Sequence, residues 1–280
     1  MEIFKTTALM VGLMLLFVFV GGVLGGKTGM IIAFLLACGI NFFSYFFSDK
    51  IVLKHYGAKP VGSDTRIYQV VEKLANKAGL PMPKVCIINE NVPNAFATGR
   101  NPNNAVVAAT TGLLDILNDE EIEGVLAHEL SHVKHYDILT GSIASAFAGA
   151  ISILGNFAQF GAVSNNNQNR NPILIIALAI IMPIVATIIQ MSISRSREYG
   201  ADKGAAMITK NPLALASALT KLENYARSGR VLSGAQPETS HMFIVNPFSG
   251  VKSNLANLFR THPKTEDRIA ALKQIDIELR

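Results

Sequence analysis

The chain has 280 residues and a formal net charge of +5; half of its residues are hydrophobic and only 16% are charged. Soluble domains carry about 25% charged residues, so this deficit favours a membrane protein. The two cysteines, Cys38 and Cys86, exclude a disulfide framework or a cysteine-rich zinc site, and no basic cluster interleaved with aromatic residues indicates nucleic-acid binding.

Four uncharged stretches divide the sequence, at residues 6–26, 28–48, 138–169 and 171–194. Each reaches the ~20 residues that a helix needs to cross the hydrocarbon core of a membrane. The first stretch is too long for a signal peptide, and a second apolar stretch follows it within a few residues. We therefore predict an N-terminal transmembrane hairpin over residues 1–48, with helices at 6–25 and 29–47 and a tight turn at Gly25–Gly29.

The third and fourth stretches predict a second transmembrane hairpin over residues 141–193. Its helices would run over 141–163 and 173–193, joined by the polar loop 164–172, and Pro183 would kink the second of them. The alternative is a hydrophobic hairpin buried in a soluble domain. Helices of 10–14 residues would suit that alternative better than the lengths seen here.

The lysine and arginine count predicts how the chain is oriented. Residues 49–140 contain nine of these residues and those after 193 contain thirteen, whereas the loops inside the two hairpins contain only Lys27 and Arg170. Positive charge concentrates on the cytoplasmic side of membrane proteins. We therefore predict a multi-pass membrane protein, embedded in the lipid bilayer, whose polar segments 49–140 and 194–280 both face the cytoplasm.

The first polar segment predicts helix and then strands. Residues 64–78 place apolar side chains at helical spacing. Short apolar runs at 85–88, 94–98 and 105–109 are typical of strands, with a turn at 99–103 between the last two. The expected fold is therefore mainly α-helical with a small β-sheet.

A helix is predicted to begin at Asn118, an N-cap residue, because Glu121 three positions later completes a capping box. This helix contains the segment His128-Glu129-Leu130-Ser131-His132. Histidines four residues apart lie on one helical face and can bind a single Zn²⁺, while the glutamate between them can act as a general base. The alternative is a pair of surface histidines. The apolar or small residues around the motif argue against it, because buried imidazoles need partners.

A catalytic zinc usually takes three protein ligands and leaves one position for water. Glu198, directly after the fourth uncharged stretch, is the best candidate for the third ligand. Asp202 lies four residues further on the same helical face, so one carboxylate could bind the metal while the other orients a ligating histidine. Glu223 and Asp137 are weaker candidates. The alternative is a juxtamembrane charge cluster with no metal-binding role.

The segments 128–132 and Glu198-Tyr199-Gly200-Ala201-Asp202 together resemble the HtpX family of bacterial membrane zinc metalloproteases. That family belongs to the gluzincins, which include the Ste24 CAAX proteases. The order of hairpin, motif helix, second hairpin and second motif matches the family over nearly the whole chain. The resemblance implies a cytoplasmic zincin-like metalloprotease domain that the second hairpin splits into 49–140 and 194–280.

The resemblance also implies roles for individual residues. His128, His132 and Glu198 would bind one Zn²⁺ per chain, with Glu129 as the catalytic base. Asp202 would form a hydrogen bond with His128.

Asn94, Ala95 and Phe96 resemble the start of the family's edge strand, whose backbone would pair with an extended substrate by strand addition. An ordinary strand end is the alternative. His262 matches a C-terminal pattern of the family and would donate a hydrogen bond to the oxyanion of the tetrahedral intermediate, unless it only caps the helix that follows. Arg268 would pair with Asp202 or with another buried acid.

The resemblance predicts a zinc-dependent endopeptidase that cleaves misfolded or damaged membrane proteins at cytoplasmic segments, in quality control under stress. One alternative is CAAX processing, which would need a larger set of spanning helices than four. Another is a non-catalytic membrane scaffold that keeps zinc for structure. That alternative leaves Glu129 without a role, and structural zinc sites commonly use cysteines, which are absent near the motif.

Overall fold

A computed structural model of the protein describes residues 2–143, 195–228, 243–244 and 263–280. Most of the predicted second hairpin, and also His262, lies outside the described residues.

The first helix, α1 (Glu2–His55), turns back on itself. Met10 and Asn41 would lie about 46 Å apart in a straight helix, at 1.5 Å per residue. Instead, Asn41 Nδ2 donates a hydrogen bond to the carbonyl oxygen of Met10 at 3.3 Å. The reversal lies at Gly26, whose φ of +57° is in the left-handed region that favours glycine. The two halves of α1 therefore lie side by side, with the turn inside the predicted range 25–29.

The second half of α1 is long and apolar enough to cross a membrane. Gly26–Phe47 has 22 residues and a mean hydropathy of 2.1, whereas the first half contains a shorter apolar stretch, Thr6–Phe19. Many large apolar side chains of α1 are exposed, including Leu15, Phe19, Ile31, Leu35, Leu36, Phe42 and Phe43. Among the described residues one helix therefore meets the length for a membrane span, and the prediction of four spans is supported only to that extent.

Four strands form a mixed sheet: β1 (Lys59–Pro60), β2 (Lys84–Ile88), β3 (Ala95–Gly99) and β4 (Ala105–Thr110). Their spatial order is β1-β2-β4-β3, and only the β2–β4 pair is parallel. The three predicted strands are confirmed, whereas β1 was not predicted. Strand β3 lies at one edge of the sheet. Its edge that is not paired with β4 faces the helix that carries the histidine motif.

Six further helices complete the described structure: α2 (Arg66–Ala78), α3 (Thr111–Ile116), α4 (Asp119–Lys134), α5 (Arg195–Thr209), α6 (Pro212–Arg227) and α7 (Thr265–Leu279). Residues 137–143 are also helical, and a 3₁₀ turn spans Pro102–Asn104. The main core lies between one face of the sheet and α2, α4 and α6; it includes Val71, Leu74, Val107, Leu126, Leu130 and Leu219. The end of α1 covers the other face of the sheet, where Val52 packs with Phe96. The described chain is thus mostly helical with a small sheet, as predicted.

Helix α4, which carries the histidine motif, begins with the predicted capping box. Asn118 Oδ1 accepts a hydrogen bond from the backbone N–H of Glu121, and Glu121 Oε2 accepts one from the N–H of Asn118, each at 2.9 Å. Glu121 is buried, and it also accepts hydrogen bonds from Ser217 Oγ and Lys221 Nζ of α6, both at 2.7 Å. The Glu121 carboxylate therefore caps the start of α4 and also links α4 to α6 through hydrogen bonds.

We expect Glu121→Gln to lower the free energy of unfolding by about 1–2 kcal/mol at pH 7. The substitution removes the charge from one side of the hydrogen bond between residue 121 and the half-exposed Lys221. Burial alone would raise the pKa of Glu121, but hydrogen bonds from Lys221, the Asn118 backbone and Ser217 lower it below its ordinary value of 4.5. A carboxylate with a lowered pKa stabilises the fold above pH 4.5, and this stabilisation is lost as pH falls through the lower folded value.

Urea unfolding in detergent at pH 7 and pH 4 tests this expectation, with the exposed Glu72→Gln as the matched control. The difference in stability between wild type and Glu121→Gln should shrink at pH 4. An unchanged difference at both pH values would contradict the assigned role of the carboxylate.

Candidate metal centre

Three donor groups from two helices converge at the candidate metal centre. Helix α4 supplies His128 and His132, whose Nε2 atoms lie 3.2 Å apart with the rings almost perpendicular. Helix α5 supplies Glu198, whose carboxylate oxygens lie 3.7 Å from His128 Nε2 and 3.5 Å from His132 Nε2. Among the described residues these three form a group whose donor atoms all lie within 4.8 Å of one another.

The hydrogen bonds of the two imidazoles show that the group fits a metal ion. His128 Nδ1 lies 2.9 Å from Asp202 Oδ1, and His132 Nδ1 lies 3.0 Å from Asp137 Oδ2. Each Nδ1 therefore carries the proton, and in neutral rings the two Nε2 lone pairs face each other, an arrangement that a cation between them would stabilise. Tetrahedral zinc with bonds of 2.0–2.1 Å would separate its ligand atoms by about 3.3 Å. The three separations observed here are close to that value.

The charge of the site also favours a bound cation. Among the described residues, four carboxylates surround the imidazoles and two guanidinium groups oppose them; these residues are Glu129, Asp137, Glu198, Asp202, Arg197 and Arg268. With both imidazoles neutral, two negative charges remain, which one divalent cation would neutralise. The same field acts on His132: burial opposes its charged form, but the carboxylates of Asp137, Glu198 and Glu129 raise its pKa to about 9.

Glu129 lies beside the metal group and against the edge strand. Its Oε2 atom accepts a hydrogen bond from the backbone N–H of Ala97 in β3 at 2.9 Å. Burial raises the pKa of Glu129, and nearby Glu198 adds to this, while the two imidazoles and the Ala97 N–H oppose it. A carboxylate with a raised pKa is a stronger base, which suits Glu129 to accept a proton from a neighbouring water.

A buried ion pair supports His128 from behind. Arg268 of α7 binds Asp202 with two hydrogen bonds, Nε to Oδ2 at 2.8 Å and Nη2 to Oδ1 at 2.7 Å, and both residues are only 1% exposed. Burial alone would raise the pKa of Asp202, but Arg268 and His128 hold it well below its usual range. The pair therefore keeps a charged carboxylate against the imidazole and joins α7 to the site.

Asn94, Ala95 and Phe96 lie at the start of the edge strand, and Phe96 also lines the site cavity. Asn94 Oδ1 accepts a hydrogen bond from the N–H of Ile244 at 3.4 Å, while the side chains of Ala95 and Phe96 pack into the two cores. Phe96 and Ala108 are paired across β3 and β4, and the N–H of Ala97 points to Glu129. Backbone groups alternate in direction along a strand, so those of Ala95 and Ala97 face away from β4, toward the site.

Sequence reasoning missed several residues of the site cavity. Its lining includes Ile138, Ser142, Phe243 and Ile244 beside the metal group. Asp137, considered only as a possible ligand, instead lies behind His132. Its position five residues after His132, just past the end of the helix, is the one sequence signal that could have indicated this.

Other candidates lie away from the metal group. Glu223 pairs with Arg227 and accepts a hydrogen bond from Thr265, at the α6–α7 contact. His135 Nδ1 lies 3.4 Å from Ser131 Oγ, and His135 is not one of the three residues of the donor group.

One buried and one partly buried histidine on a helix, a carboxylate from a second helix and a glutamate against an edge strand form the site of a metalloprotease. The chain matches the family model of peptidase family M48 over residues 62–276 and belongs to this family. It is 62% identical to the protease HtpX homolog of Campylobacter curvus, over all of this chain and 99% of the relative. It is 63% identical to that of Campylobacter hominis, over 98% of this chain and 99% of the relative. These findings confirm the resemblance seen in the motifs, and the protein is a metalloprotease.

A solved structure shares the fold. The crystal structure of S. mikatae Ste24p matches 86% of this chain with a TM-score of 0.51 and 20% sequence identity. The matched region is 57% of that longer chain. At this identity the likeness concerns the fold alone.

Proposed function

We propose that this protein is a zinc-dependent endopeptidase of the bacterial inner membrane that cleaves misfolded or damaged membrane proteins at cytoplasmic segments. The observation that carries the proposal is the convergence of His128, His132 and Glu198, with Glu129 between that group and the edge strand. Zinc suits this set because two imidazoles and one carboxylate are a common ligand set of catalytic zinc.

Zinc, when bound, would supply Lewis-acid chemistry toward the scissile carbonyl and the attacking water. Glu129 takes the proton of that water as it attacks, and then delivers it to the leaving amine. Asp202 and Arg268 hold His128 in the tautomer whose Nε2 is free to bind a metal. His262 is proposed to donate a hydrogen bond to the oxyanion.

The substrate is proposed to add to the free side of β3 as an extended strand. The backbone groups of Ala95 and the carbonyl oxygen of Ala97 would pair with it, while the Ala97 N–H holds Glu129 in position to reach the scissile bond. Because backbone pairing reads no side chains, this mode gives affinity with little sequence preference. Asn94 contributes indirectly, through the hydrogen bond that fastens Ile244 in the cavity wall.

The membrane location rests on the apolar helix Gly26–Phe47 and on the distribution of lysine and arginine. Four spans in two hairpins, 1–48 and 141–193, would hold a protease domain made of 49–140 and 194–280 against the cytoplasmic face. Substrates that expose loops or damaged termini there are within its reach. CAAX processing finds no specific support, since the likeness to Ste24p is one of fold.

Membrane vesicles of defined orientation test the proposal. Inverted vesicles, which expose the cytoplasmic face, should cleave added casein, whereas spheroplasts, which expose the outer face, should not. Chelation should abolish cleavage, because the site loses the Lewis acid, and added Zn²⁺ but not Mg²⁺ should restore it. Cleavage that persists after chelation would rule out zinc catalysis, and cleavage by spheroplasts alone would reverse the proposed orientation.

A further inference from the structure

The two ligating imidazoles have matching supports on opposite sides of the metal group. Behind His128 stand a carboxylate and a guanidinium, Asp202 and Arg268. Behind His132 stands a second such pair: Asp137 Oδ2 lies 3.0 Å from His132 Nδ1, and Asp137 Oδ1 lies 3.6 Å from Arg197 Nη1. The second pair is nearly buried as well, with side chains 8% and 10% exposed.

The backbone between His132 and Asp137 takes an uncommon path. Helix α4 ends at Lys134, and Tyr136 has a φ of +64°, in the left-handed region that non-glycine residues rarely adopt. A non-glycine residue in this region is strained, and strained residues cluster at functional sites. The turn brings Asp137 back against the ring of His132 and starts the helical residues 137–143.

Arg197 connects this support to the other metal-binding helix. It directly precedes Glu198 in α5, so the Asp137–Arg197 pair bridges the chain just after α4 and the helix that supplies the third donor. Asp137 and Arg197 also flank residues 138–196 in the sequence, so their contact brings the two ends of that segment together beside the site.

We infer that Asp137 is a positioning residue that fixes the orientation and tautomer of His132, while Arg197 holds the Asp137 carboxylate in place. This inference rests on the proposed function, since it concerns how His132 would hold zinc. A carboxylate behind a ligating histidine fixes the ring and makes it a better ligand, and removing such a partner typically lowers metal affinity 10- to 100-fold.

The test is the zinc affinity of purified full-length protein in detergent, measured by competition with a chromogenic chelator. Asp137→Asn should weaken Zn²⁺ binding about 10- to 100-fold, whereas the exposed Asp115→Asn should leave it unchanged. Circular dichroism and thermal unfolding of the metal-free proteins confirm that each variant is folded. Arg197→Met should also weaken Zn²⁺ binding, by a smaller factor than Asp137→Asn.

A double-mutant comparison separates positioning from a general structural effect. In a His132→Ala background the ring to be positioned is gone, so adding Asp137→Asn should leave the residual Zn²⁺ affinity unchanged. An equal loss in both backgrounds, or wild-type affinity in Asp137→Asn, would overturn the inference. Failure of the wild-type protein itself to bind Zn²⁺ would instead overturn the proposed function.

Discussion

Glu129→Gln is expected to lower kcat for casein cleavage by about 10²- to 10⁴-fold while leaving zinc binding intact. General acid–base catalysis contributes a factor of this size, and an amide cannot take up the proton of the attacking water. The glutamine Oε1 can still accept the hydrogen bond from the Ala97 N–H that Glu129 now accepts. The variant therefore keeps the local geometry and removes only the proton acceptor.

Initial cleavage rates and bound zinc, determined on the same preparation, check this expectation. The exposed Glu72→Gln serves as the matched control and should cleave at the wild-type rate. Loss of zinc together with activity would indicate that Glu129 is structural. Full activity with bound zinc would show that another residue is the base.

Arg268→Met is expected to destabilise the fold by about 3–5 kcal/mol, the effect of leaving one partner of a buried ion pair uncompensated. Methionine fills much of the volume but leaves the Asp202 carboxylate buried beside His128 without its two guanidinium hydrogen bonds. It also removes the donor to the Ile244 carbonyl oxygen, which Arg268 Nη1 binds at 2.8 Å.

Chemical unfolding in the presence of chelator measures this effect without a contribution from metal binding. Arg280→Met, at an exposed pair with Asp276, is the control and should change stability by less than about 1 kcal/mol. Combining Arg268→Met with Asp202→Asn should be less harmful than the sum of the single changes, because the buried charge is then gone. Strict additivity would argue against a coupled pair.

The local elements could be predicted because their causes are local. Helical spacing of apolar residues predicted α2, and the Asn118–Glu121 capping box predicted the start of α4. Short apolar runs bounded by turn residues predicted β2, β3 and β4. In each case hydrogen bonds within a few residues, together with the periodicity of the side chains, decide the outcome.

The pairing of those elements could not be predicted in the same way. Strand β1 has two residues and exists only through its pairing with β2, and the parallel β2–β4 pair depends on a crossover through β3. Lys59 and Pro60 carry no strand pattern of their own. Which strands pair over long range depends on which apolar surfaces of the rest of the fold still need to be buried. A short stretch of sequence therefore does not predict the pairing.

The residues of the candidate metal centre could be predicted from local spacing alone. His128, Glu129 and His132 need only a helix to share one face, and the Glu198–Asp202 spacing likewise needs only one turn. The tertiary structure decided which groups stand behind those residues. It brought Asp202 and Arg268 to one imidazole, Asp137 and Arg197 to the other, and the Ala97 N–H to Glu129. Each of these groups comes from a different part of the chain than the residue it supports. Such contacts arise only when the elements pack, because a buried charge or polar group must find a partner wherever the fold provides one.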